Sequence, residues 1–79
     1  MPTDIREAGF ELRIYTLDHP PPHVHVWKAG AVVKINLTTH EAVEVVGEIS
    51  DRDIGRAECP VARNSARLWR EWARLHGKN

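Results

Sequence analysis

Phe10, Leu12 and Ile14 alternate with Glu11, Arg13 and Tyr15, the period-two pattern of a strand with one buried face. Asp18-His19-Pro20-Pro21-Pro22 interrupts it, because proline has no N–H to give to a sheet ladder. Alternation resumes in His23-Val24-His25-Val26-Trp27, with the valines on one face. Lys28-Ala29-Gly30 then reads as a tight turn. Ala31, Val33, Ile35 and Leu37 mark a third strand. A weaker fourth follows around Val43, Val45 and Ile49, with Gly47 as a candidate bulge. The short connections favour antiparallel neighbours.

From Ser50 the period changes. Ser50 is placed to cap a helix whose first turn holds Asp51 and Asp53, where acidic groups suit the positive end of the dipole. Ile54, Ala57, Val61, Leu68, Trp72 and Leu75 fall on one helical face, and Gly77 is a natural stop. Pro60 interrupts the pattern and must kink the helix or break it there. The expected fold is α+β: a three- to four-stranded antiparallel sheet with a C-terminal helix, kinked or broken at Pro60, packed on one face.

Seventy-nine residues make a single domain over 1–79 with a modest core. One cysteine, Cys59, excludes an internal disulfide and a multi-cysteine metal knuckle, and fits a reducing compartment. The first residues show neither a basic start nor an apolar run, and no stretch is long enough to span a bilayer, so a cytoplasmic location without membrane contact is expected. The formal net charge is zero but divided. Residues 1–49 carry four basic and seven acidic side chains, and residues 50–79 carry seven and four.

Three groupings carry candidate chemistry. His23, His25 and Trp27 point to the sheet face opposite the valines, with Arg13, Tyr15, Lys34 and Asn36 as neighbours. Two imidazoles beside cations resemble an acid–base kit for RNA cleavage through the 2′-hydroxyl. If a helix covers the valine face, both histidines meet solvent or a partner. A metal would need ligands beyond His23 and His25, for which the sequence offers only His19, His40 or a glutamate, so no metal and no cofactor is expected. Arg63, Arg67, Arg70 and Arg74 are spaced four, three and four apart, a helical stripe suited to phosphates or an acidic protein surface. That stripe and the histidine face lie on opposite sides of the expected fold, which weighs against a nuclease built from both.

Several of these residues carry a resemblance. Met1-Pro2-Thr3, Ile5-Arg6-Glu7, Gly9-Phe10, the run Pro21-Pro22-His23-Val24-His25-Val26, the capped helix from Ser50 and Trp72 together resemble the small bacterial family catalogued as domain of unknown function 4160. The resemblance implies a compact α+β fold, a bacterial or phage origin, and pairing with a small protein of the family catalogued as domain of unknown function 2442. Such pairs are suspected of forming toxin–antitoxin-like modules. The resemblance brings no catalytic residue.

The leading expectation is therefore a small non-enzymatic protein-binding component of a bacterial two-gene module, with Arg63, Arg67, Arg70, Arg74 and Trp27 as binding candidates. Two alternatives stay open: a toxin-like ribonuclease using His23 and His25 as its catalytic pair, and nucleic-acid binding through the arginine stripe. A homodimer is a further open possibility.

Overall fold

The computed structural model describes residues 3–77. Five strands, β1 (Thr3–Glu7), β2 (Phe10–Ile14), β3 (His23–Lys28), β4 (Ala31–Asn36) and β5 (Ala42–Val46), precede two helices, α1 (Asp51–Arg63) and α2 (Ser65–His76). Each strand pairs antiparallel with its sequence neighbours, so the sheet order is β1-β2-β3-β4-β5. The α+β class and the antiparallel sheet match the expectation. The counts do not: there are five strands rather than three to four, and two helices rather than one.

The strand missing from the sequence reading is β1, whose run TDIRE holds a single apolar residue, Ile5. Pairing supplies what periodicity lacks. Ile5 lies opposite Leu12, and Glu7 opposite Phe10, across a two-residue turn. Ala8 and Gly9 there have φ of 55° and 83°, and Ala29 and Gly30 repeat the pattern at 50° and 84°. Positive φ at both central residues is what the type I′ hairpin turn requires.

Leu12, Ile14, Val24, Val26, Val33 and Ile35 are fully buried on one sheet face. α1 lies over β2 and β4, and α2 over β2. The helices contribute Ala57, Pro60 and Val61, then Leu68 and Trp72, with Ile54 and Leu75 packed at the margin. All six residues placed on one helical face therefore meet the sheet.

The helix break is not at Pro60. α1 runs through this proline, which is buried against the core, and ends three residues later. Proline has no N–H for the carbonyl of residue 56, so α1 forgoes that one bond and continues. The break falls at Asn64 (φ −104°, ψ 17°). Its backbone N–H donates to the Pro60 carbonyl at 3.0 Å and its side-chain amide to the same carbonyl at 2.7 Å. Its own carbonyl accepts the Leu68 N–H at 2.9 Å, starting α2. One residue thus ends one helix and begins the next. The same amide donates to Glu7 at 2.9 Å, and Arg63 also binds this carboxylate. Asn64 and Arg63 together hold the Glu7 carboxyl below the usual carboxylate range. At the other end, Ser50 Oγ accepts the Asp53 N–H at 3.1 Å, the expected cap.

The irregularity in the last strand also sits elsewhere than expected. Lys34 pairs with Glu44 and Ile35 with Ala42, so the extra residue is Val43, not Gly47. Gly47 (φ +94°) follows the strand, and a Cβ there would stand 3.0 Å from Ala31 Cα and 3.2 Å from Ala31 Cβ. Gly47→Ala should therefore destabilise the fold by about 1–3 kcal/mol through strained backbone and crowding. A urea midpoint equal to that of the parent chain would contradict this close approach.

Candidate functional site

The Tyr15–Asp18 turn sets the site. The Asp18 N–H donates to the Tyr15 carbonyl at 3.1 Å, and the Tyr15 N–H returns a bond to Asp18 Oδ2 at 3.0 Å. This reciprocal pair aims Asp18 Oδ1 at the two histidines of β3, 3.0 Å from His25 Nε2 and 3.6 Å from His23 Nε2. The prolines hold the rest of the connection. The Pro22 carbonyl accepts the Leu37 N–H at 3.0 Å, fastening it to the end of β4. The Pro21 carbonyl lies 2.8 Å from His23 Nδ1. A carbonyl only accepts, so Nδ1 carries a proton and donates it there.

Aromatic rings pack the cluster. Tyr15 meets His25 edge-on at 4.8 Å, His25 meets His23 at 5.1 Å, and His23 meets Trp72 of α2 at 5.6 Å. Trp72 in turn stacks on His76 at 3.9 Å. The Trp27 indole N–H donates to the Tyr15 hydroxyl at 3.1 Å. Burial pushes the Asp18 carboxyl up, but the Tyr15 N–H, the His25 bond and the charges of both imidazoles outweigh it and hold this group below its ordinary value.

The histidines therefore do not face solvent. His23 is 9% exposed, and the His25 side chain only 14%. The reason is the proline-rich connection, which folds back over the strand ends instead of leaving them bare. His23 also reaches the helical layer through Trp72, so sheet face and helix are less separate than alternation implies. The two cations that neighbour the histidines on this face are engaged elsewhere. Arg13 pairs with Glu11, holding that carboxyl below its usual range, and Lys34 lies 3.1 Å from Glu44. His19 and His40 stand outside the cluster.

The arginine stripe is divided by the break at Asn64. Arg63 ends α1 and turns to Glu7, while Arg67, Arg70 and Arg74 share α2. Arg74 pairs with Glu71 at 2.6 Å. Among the described residues, Arg67 and Arg70 are exposed without an ion-pair partner, with Trp69 between them 37% exposed.

Two features escaped the sequence reading. Asp18 looked like part of a breaker, and only its i to i−3 relation to Tyr15 hinted at a folded turn. The other is the outer edge of β5, where Val43, Val45 and Val46 are 62%, 41% and 56% exposed. The signal was present: valines of both parities in the last strand of a sheet that follows chain order. On the open face, Trp27, Val32 and Val46 lie opposite one another across β3, β4 and β5, an apolar row running to that edge.

No curated protein and no solved structure matches the chain. No helix among the described residues is long and apolar enough to cross a membrane. A family model matches residues 9–73, which takes in all of β2 to α1, the Asp18–His23–His25 cluster and most of α2. The chain belongs to the family described as Domain of unknown function (DUF4160).

Proposed function

We propose that the chain acts by binding a small cognate protein, as the non-enzymatic component of a bacterial, cytoplasmic, toxin–antitoxin-like pair. The observation that carries this reading is the β5 edge. A terminal strand offers a row of unpaired N–H and C=O groups, and proteins ordinarily blunt such an edge with charge, proline or a covering element. Here the edge bears three exposed valines against a single charge, Glu44, and one bulge, at Val43. An added partner strand would take main-chain hydrogen bonds from β5 and cover those valines.

Charge favours a different protein over a second copy. Glu41, Glu44 and Glu48 are exposed along this segment. Self-pairing gathers two sets of these carboxylates, whereas a strand flanked by lysine or arginine complements them. The partner implied by the family resemblance, a protein of domain of unknown function 2442, is the first to test.

Purified from its native cells with nuclease treatment, the tagged chain should retain one stoichiometric small protein. The double variant Val43→Lys, Val46→Lys should keep the parent's circular dichroism and melting temperature yet bind that protein at least about tenfold more weakly. Undiminished binding by the variant, or no retained protein, would sink the proposal. Nucleic acid lost on nuclease treatment, and lost again in Arg67→Glu, Arg70→Glu, would support instead the reading that the free arginines of α2 bind phosphate.

A further inference from the structure

We infer that Asp18, His23 and His25 form a binding site for a divalent first-row transition ion, zinc being the leading case. One ligand atom of each residue lies within 4.8 Å of the other two. An ion of this class sits about 2.0–2.2 Å from imidazole nitrogen and carboxylate oxygen, which places neighbouring ligand atoms about 3 Å apart. The carboxylate-to-histidine distances of 3.0 and 3.6 Å already match, and a modest turn of one imidazole closes the remaining pair.

The orientation of the groups says more than their proximity. His23 Nε2 is buried and makes no hydrogen bond. With Nδ1 donating to the Pro21 carbonyl, Nε2 is the nitrogen left over to serve as a ligand, and it is turned toward Asp18. A carbonyl that fixes the tautomer of a histidine from its far nitrogen is the usual outer support of a metal ligand. Asp18 is supported in the same way: the Tyr15 N–H occupies Oδ2 and leaves Oδ1 for the centre.

The donor set narrows the class of ion. Two imidazoles and one carboxylate suit zinc, nickel, copper or iron(II), and not calcium or magnesium, which prefer oxygen. Three protein ligands leave coordination positions open. Beside the cluster lies a cavity of about 330 Å³, bordered by Asp18, His19, His23 and Lys34, with room for water or a small anion. The purely structural alternative is a clasp in which Asp18 accepts a hydrogen bond from His25 alone and no ion enters.

Tag-free, chelator-treated protein titrated with zinc sulfate in a calorimeter, and separately with cobalt(II) followed by visible absorption, tests the site. One equivalent per chain is expected. Asp18→Asn and His25→Gln should each weaken it at least about tenfold, and His40→Gln, remote from both cluster and cavity, should leave it unchanged. Absence of saturable binding would overturn the inference, as would equal binding by parent, Asp18→Asn and His25→Gln. If those variants fail to fold, side-chain ¹⁵N spectra of the parent chain decide. Zinc should shift Nε2 of His23 and His25, and unmoved signals refute the site.

Discussion

Leu68→Ala should lower the unfolding free energy by about 2–5 kcal/mol. Leu68 is fully buried, and with Trp72 it is one of only two buried residues in α2. Truncation leaves a cavity beneath a twelve-residue helix that has no side-chain cap. At roughly 0.05–0.15 kcal/mol per residue, a chain of 79 residues has a total stability of about 4–12 kcal/mol. The substitution therefore removes a large share of it. Urea unfolding followed by far-ultraviolet circular dichroism measures the loss. A change under about 1 kcal/mol would mean that the sheet is stable without its second helix.

Asp18→Ala should cost roughly 2–4 kcal/mol at neutral pH. It removes the acceptor of the Tyr15 N–H and the shared partner of two largely buried imidazoles. The pH dependence has a definite sign. The Asp18 carboxyl is held below its ordinary value of 3.8 in the folded chain, against the opposing effect of burial. A group depressed in this way stabilises the fold above its unfolded pKa, and that contribution is lost as pH falls through the folded one. The stability gap between parent and Asp18→Ala should then be full above that ordinary value and shrink as pH drops below it. Asp18→Asn, which keeps an acceptor for Tyr15, should lie between the two at neutral pH. A gap that widens in acid would show that the carboxylate does not stabilise the folded state.

What the sequence made legible follows from where each signal resides. Alternation in β2, β3 and β4 and the single apolar face of the helices are local periodicities, so the core face was readable residue by residue. β1 was not, because Ile5 alone marks it and its pairing with Leu12 is a tertiary fact. The position of the helix break was misjudged because Pro60 is the stronger local signal, while Asn64 acts through Glu7, 57 residues away. His23 and His25 were found as a pair by spacing, but their burial was not, since it depends on how the proline segment folds back. Asp18 joins them only through that fold.

The unequal finish of the sheet's two borders has a consequence for valency. β1 presents Asp4 and Arg6, and its last residue is anchored to the helix joint. β5 ends the other border with three exposed valines beside Glu44. A sheet receptive at both borders would let one copy stack on the next without closure, growing a fibre. With a single receptive border, the proposed strand addition would stop after one partner, and the product would be a closed one-to-one particle.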